Sequence, residues 1–241
     1  MERYIVRKIP RCDEKICDEF ARLGCATVYE AQGQTGLLHH SLKPIQKDVA
    51  VCGTAVTVTC HAGDNLMVHA AVECCQPGDI LVVTTEGESN RHGMIGELLV
   101  KSLLKRGVKA VIMDGGVRDT RQIRQLGFPV WTTSVVCTGT TKSKAGWVNA
   151  PAVCAGVLVA PGDLIVADDD GVVVVKREEV RTALEKSLAR EKKEEATTRK
   201  IEEGQLGVEF YGFREVLSKL GVKYYDTLEE ASESDRSTRK G

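Results

Sequence analysis

Four short runs rich in β-branched and apolar residues alternate with segments of helical spacing, and this alternation constrains the fold more than any other feature. The runs are 49–60 (VAVCGTAVTVTC), 80–85 (ILVVTT), 108–113 (VKAVIM) and 129–134 (PVWTTS). Each has strand length, and β-branched side chains suit a pleated, half-buried surface. Helices are expected between them at 64–75, 94–106 and 120–126. Such alternation over the first two-thirds of the chain predicts a layered α/β domain. Upstream, Ile16, Phe20 and Leu23 fall at helical spacing, with Asp13 as the expected cap and Gly24 as the stop. Thr27 to Glu30 has the spacing of a capping box and predicts a second short helix. Residues 152–175 read strand, turn, strand, turn, strand. Asp168 to Gly171 is better read there as a hairpin turn than as a calcium loop. Pro77-Gly78-Asp79 and Pro161-Gly162-Asp163 each precede an apolar run, an echo too short to count as a repeat.

The C-terminal third changes character. Residues 177–203 predict a charged helix with Val180, Leu184 and Leu188 on one stripe and almost nothing apolar from there to Ile201. A helix that is polar all round bridges bodies or is held by another chain, unless it is simply a solvated surface helix. Residues 208–225 (VEFYGFREVLSKLGVKYY) restore apolar character, and 229–241 lose it again, as a disordered tail would. The expected organisation is a core over 1–176, a C-terminal helical arm over 177–228 and a tail over 229–241.

Charge and composition exclude several functions. Lys+Arg 33 against Asp+Glu 34 leaves no basic excess for nucleic acid, and 5% aromatic residues are few for base stacking. No apolar run reaches the roughly 20 residues that span a bilayer, and the N-terminus has no apolar signal segment. Nine cysteines, an odd number without a CxxC, read as reduced thiols of a cytoplasmic protein.

Dinucleotide, P-loop, HExxH and GxSxG signatures are missing, which leaves two segments able to carry chemistry. Asp114-Gly115-Gly116-Val117-Arg118-Asp119 follows an expected strand and precedes an expected helix, the position where open α/β sheets bind ligands. Arg118 offers a planar fork for a carboxylate or enolate oxygen, and Asp119 a hard oxygen for Mg²⁺. The plain alternative is an aspartate helix cap beside a surface arginine. Gly93-Met94-Ile95-Gly96-Glu97-Leu98-Leu99 is expected to open a helix whose free N–H groups attract an anion. An ordinary flexible loop entering an amphipathic helix satisfies the same pattern. His92 adjoins that loop and is a candidate substrate contact.

Taken together, the chain resembles the class II pyruvate aldolases that act on 4-hydroxy-4-methyl-2-oxoglutarate and 4-carboxy-4-hydroxy-2-oxoadipate, a family related to the regulator of ribonuclease E activity A. The resemblance spans about residues 20–225. It includes ATVYEAQGQTGLL (26–38), GDNLMVHAAVECCQPGDILVV (63–83), GELL (96–99), DGGVRD (114–119) and VNAPAVCAGVLVAPGDLIVADDDGVVVV (148–175). It implies a layered α-β-β-α core of the swivelling β/α/β kind with a C-terminal helical arm. It also implies Asp119 as ligand of Mg²⁺ or Mn²⁺, and Arg118 as the contact to substrate and its C4 hydroxyl. The backbone of Gly96, Glu97, Leu98 and Leu99 would hold the pyruvyl carboxylate. The family's aldolases usually carry Asp where this chain has Glu97. A glutamate borrowed from a neighbouring subunit's arm corresponds to Glu194, with Glu195 adjacent.

The implied chemistry is retro-aldol cleavage of a 4-hydroxy-2-keto diacid to pyruvate, part of aromatic catabolism, through a metal-stabilised enolate. Oxaloacetate decarboxylation would share that enolate. A Schiff-base mechanism is the rival, with Lys109 the one lysine beside an apolar strand. The implied assembly is a cytoplasmic homotrimer or homohexamer with a small keto acid as its ligand, and neither nucleic acid nor membrane as partner. The alternative function is a non-catalytic regulator that binds a ribonuclease or helicase.

Overall fold

In the computed structural model residues 2–87 and 90–238 are described, the last five by backbone alone. The chain forms two compact units, Met1–Glu191 and Lys192–Gly241. The boundary falls inside a helix that the sequence places wholly in the arm.

The first unit opens with α1 (Glu14–Ala31), β1 (Lys43–Pro44), β2 (Val51–His61), α2 (Leu66–Ala71), β3 (Asp79–Glu86), β4 (Gly93–Ile95) and α3 (Glu97–Lys105). It continues with β5 (Ala110–Val117), α4 (Thr120–Gln125), β6 (Val130–Val135), β7 (Trp147–Val148), β8 (Ala152–Cys154), β9 (Val157–Val159), β10 (Leu164–Ala167) and β11 (Val172–Val175). The main sheet runs β1-β6-β5-β3-β2-β10-β11, with β4 added on β5 and β7 on β2. Strands β6, β5, β3 and β2 are mutually parallel, whereas β1, β10 and β11 pair antiparallel. The fold is mixed α/β, as the strand–helix alternation predicts.

Alternate residues of the central strands enter different layers, because successive side chains of a strand point to opposite faces. Leu81 and Val83 of β3 join Val111 and Met113 of β5 in the core under α2 and α3. Ile80 and Val82 join Ala110, Ile112 and Trp131 in the core on the other face. A third cluster packs Cys17, Phe20 and Val28 of α1 with Leu164 and Val166 of β10, Val173 of β11, and Val180 and Ala183 beyond it.

Gly24 interrupts α1 at φ 76°, ψ 165°, so the expected stop is real and a second helical stretch follows at once. Asp13 caps the first stretch, accepting from the Lys15 N–H at 2.8 Å. The second is capped from a distance, by the Asp168 carboxylate accepting from the Cys25 N–H at 2.7 Å, and not by the predicted Thr27 box.

The two Pro-Gly-Asp turns are structurally alike. Gly78 and Gly162 have φ 89° and 93°, the left-handed value that a type II turn needs at its third position. In each, the buried aspartate reaches back to the N–H three residues earlier, Asp79 to Gln76 and Asp163 to Ala160. Each carboxylate also meets a cation: Arg11 grips Asp79 through two bonds of 2.9 Å, and Lys176 lies 2.9 Å from Asp163.

The helix α5 (Val180–Glu202) begins in the first unit, where Val180, Ala183 and Ser187 are buried, and ends in the second. The second unit adds α6 (Gly207–Phe210), α7 (Phe213–Lys219) and α8 (Leu228–Thr238). The segment expected to be a disordered tail is thus helical through Thr238, with local support from the Thr227 hydroxyl, which accepts from the Glu230 N–H. Residues 239–241 lie outside the described residues. No described helix is long and apolar enough to cross a membrane.

Candidate active site

The site forms where β5 ends. The sequence ends this strand at Met113, but β5 continues through Val117, with a register shift against β6 between Met113 and Gly116. Gly116 permits this course: a Cβ there would lie 2.5 Å from the His92 carbonyl. Likewise 93–95 does not open the helix but forms β4, parallel to β5. A Cβ on Gly93 would approach the Val136 carbonyl to 2.8 Å, so the backbones crowd too closely for any side chain. The helix starts one step later, with Gly96 as N-cap and Glu97 in the first turn.

These two strand ends bring the predicted residues together. The Arg118 N–H donates to the Ile95 carbonyl at 2.9 Å, tying the segment after β5 to β4. Asp119 takes a left-handed conformation, φ 57° and ψ 31°, which turns its side chain back toward α3. Its Oδ2 accepts from the Glu97 N–H at 3.1 Å and lies 3.7 Å from Arg118 Nε. Gly96, Glu97, Leu98, Leu99, Arg118 and Asp119 share one cavity of about 460 Å³. Glu97 turns its carboxylate to Lys101, 2.6 Å away on the next turn. Glu194 is exposed on the part of α5 that belongs to the second unit, whereas every lining residue of the cavity comes from the first.

Two other residues singled out in the sequence lie elsewhere. Asp114 accepts from the Ala155 N–H at 2.7 Å, so it braces the β8–β9 hairpin. His92 packs against Gly63, whose added Cβ would meet its Nε2 at 2.9 Å, and does not line the cavity.

No motif assigns the remaining wall a role, although Asn65 and His69 fall within the 63–83 stretch of the resemblance. Asn65, His69, Gly139, Thr140 and Lys142 come from α2, the turn before it and the loop after β6. Asn65 Nδ2 donates to the Met94 carbonyl at 2.8 Å, and its Oδ1 is buried without a partner among the described residues. The loop is held by buried Asp64, which accepts from the Thr141 hydroxyl and the Ser143 N–H, each at 2.7 Å, and from the Leu66 N–H at 3.1 Å. Burial pushes the Asp64 carboxyl up, but these donors outweigh it and hold the group down at about 2. His69 is held below its ordinary value, first by burial and then by the nearby charge of Lys142.

A hard carboxylate at the mouth of a polar cavity suits a cation that takes one or two protein oxygens and keeps waters, as Mg²⁺ does. No trio of His, Cys, Asp or Glu among the described residues suits a metal that needs three or four protein ligands.

Known proteins resemble this chain in sequence and in shape. A protein of Halalkalibacterium halodurans named "Putative 4-hydroxy-4-methyl-2-oxoglutarate aldolase" is 32% identical over 174 residues, covering 72% of this chain and 82% of its own. A protein of the same name from Burkholderia multivorans is 33% identical over 144 residues, covering 60% and 87%. The crystal structure of Streptomyces coelicolor RraAS2, described as an unusual member of the RNase ES inhibitor RraA protein family, superposes with TM-score 0.70 at 28% identity. That match covers 79% of this chain and 99% of RraAS2. The RraA-like model described as Aldolase/RraA matches residues 14–174, and the chain belongs to that family.

Proposed function

We propose that this protein is a divalent-metal-dependent aldolase that cleaves a 4-hydroxy-2-oxo diacid, such as 4-hydroxy-4-methyl-2-oxoglutarate or 4-carboxy-4-hydroxy-2-oxoadipate, to release pyruvate. The observation that carries this reading is the meeting of Arg118, Asp119 and the opening amides of α3 in one cavity. Asp119 is the residue that would hold Mg²⁺ or Mn²⁺. When bound, the cation supplies Lewis acidity to the 2-oxo acid. The Glu97 N–H is taken up by Asp119, which leaves the amides of Leu98 and Leu99 in the first turn of α3 to suit the pyruvyl carboxylate. Arg118 would place a permanent positive charge beside the C4 oxygen as its hydroxyl proton leaves to water or hydroxide. The C3–C4 bond then breaks, that oxygen becomes a carbonyl, and the electron pair passes to the pyruvyl half as its enolate. Oxaloacetate decarboxylation, in which CO₂ leaves from C4, would pass through the same pyruvate enolate and is proposed as a side activity.

The arm is proposed to serve a neighbouring copy in a trimer or hexamer, with Glu194 as its contribution. Beyond Leu188 this helix carries almost nothing apolar until Ile201, the pattern of a segment that bridges between bodies. The similarity to RraAS2 favours a second reading, a non-catalytic regulator of a ribonuclease.

A coupled assay of pyruvate release over a panel of 4-hydroxy-2-oxo diacids separates the two. Aldolase activity predicts release that needs Mg²⁺ or Mn²⁺ and disappears in Asp119→Ala. Turnover that persists without metal and in that variant excludes the proposed scheme, and no turnover of any panel member favours the regulator.

A further inference from the structure

The cavity holds one cation that the pyruvyl half of a substrate leaves unused. Glu97 is matched by Lys101 at 2.6 Å, and Asp119 lies beside Arg118 at 3.7 Å. Lys142 lines the same cavity, and no carboxylate lies within ion-pair distance of it among the described residues. Its backbone is pinned on both sides, since Thr141 and Ser143 both donate to Asp64. The Asn65 N–H also donates to the Thr141 carbonyl at 3.1 Å, and the Thr141 N–H to the Gly63 carbonyl at 2.9 Å. A flexible lysine is thereby rooted on a fixed segment of the cavity wall.

The loop also spans the site. At Gly139 it lies beside the guanidinium, an added Cβ there being 3.7 Å from Arg118 Nη1. Three residues on, Lys142 is close enough to His69 for its charge to depress the imidazole's proton affinity. A cavity of about 460 Å³ holds much more than a three-carbon acid. With the amides of α3 facing the near carboxylate and Arg118 the C4 oxygen, Lys142 is left to meet an anionic group at the far end of the ligand.

We propose that Lys142 binds the distal carboxylate of the substrate and so selects 4-hydroxy-2-oxo diacids over the matching mono-acids. This inference rests on the aldolase reading for the near end of the ligand, and its test separates the two. Binding is measured by calorimetry with Mg²⁺ present, using 2-oxoglutarate as the dicarboxylate probe and pyruvate as the monocarboxylate. A charge-assisted bond is lost in Lys142→Gln, so affinity for 2-oxoglutarate falls on the order of 10- to 100-fold while pyruvate binding stays within about twofold. Lys142→Arg keeps the charge and restores most of the difference. In kinetics, the KM for 4-hydroxy-4-methyl-2-oxoglutarate rises in Lys142→Gln with little change in kcat, and the constants for a 4-hydroxy-2-oxo mono-acid stay put.

Equal losses for both probes, or no loss for either, overturn the assignment of Lys142. Selective loss of dicarboxylate binding in a protein without retro-aldol activity upholds Lys142 and overturns the aldolase. A wild-type protein that binds neither probe overturns both.

Discussion

The backbone N–H of Glu97 donates to the carboxylate of Asp119 across 3.1 Å, joining the first turn of α3 to the end of β5. That contact exists because Gly96 has no side chain: a Cβ there would lie 2.6 Å from Asp119 Oδ2 and 3.0 Å from Arg118 Nε. The Gly96 backbone itself, φ −139° and ψ −176°, is open to any residue. Gly96→Ala should therefore keep the fold, with a melting temperature within a few degrees of wild type, and displace both functional side chains. Pyruvate release should drop by at least about tenfold, since small displacements of catalytic groups cost that much or more. Unchanged turnover would separate Asp119 from the chemistry.

Asp64 links stability to acid. Its carboxyl titrates near 2 in the folded protein against an ordinary 3.8, so the unfolded chain binds the extra proton between those values. The stabilisation is complete above about pH 3.8 and is lost as the pH falls through 2, and it amounts to about 2 kcal/mol. Asp64→Asn should lose that amount at pH 7 in urea denaturation and flatten the acid limb of the stability profile. Amides of the loop after β6 should exchange faster in the same variant.

Arg11 ties the N-terminal segment to the turn before β3 through its paired bonds to buried Asp79 and a 3.0 Å bond to the Cys74 carbonyl. Arg11→Ala strands a carboxylate that is almost wholly buried. Loss of one partner from such a pair costs roughly 3–5 kcal/mol. Arg11→Lys, which cannot make the two parallel bonds, should fall between Ala and wild type in chemical denaturation.

Burial raises the thiols of Cys60 and Cys75 to about 12, leaving little thiolate at neutral pH. Cys137 is exposed and Cys12 half-buried, while the other cysteines are buried. Thiol titration of the native protein should label Cys137 first and Cys12 more slowly, with the rest reacting only after unfolding. Rapid labelling of Cys154 under native conditions would contradict its place in the core.

The near half of the site was legible because its residues are consecutive: Gly96 to Leu99 and Arg118 to Asp119 each form one local stretch. The errors there came from glycine. At 114–117 the glycines relieve backbone crowding inside a strand, and at 93–95 they admit a short strand beside it, whereas glycine in a sequence most readily signals a turn. The wall built by Asn65, His69 and Lys142 was hidden, because nothing local shows that α2 and the loop after β6 meet. The cap of Cys25 by Asp168 escaped for the same reason, across a separation that no spacing rule reaches. The strand–helix alternation survived all of this, since it depends on periodicity alone.

The two Pro-Gly-Asp corners bracket β2 at one level: Thr54 pairs with Asp79 on one side and with Leu164, next to Asp163, on the other. Both corners thus clamp the starting edge of the parallel strands, and Arg118 and Asp119 emerge from the opposite edge. The molecule divides its labour along the strand axis, with anchorage at one rim and reactivity at the other. Damage at the clamped rim should shorten the protein's life without altering what it recognises, whereas Arg118 and Asp119 at the other rim can change recognition at little cost in durability.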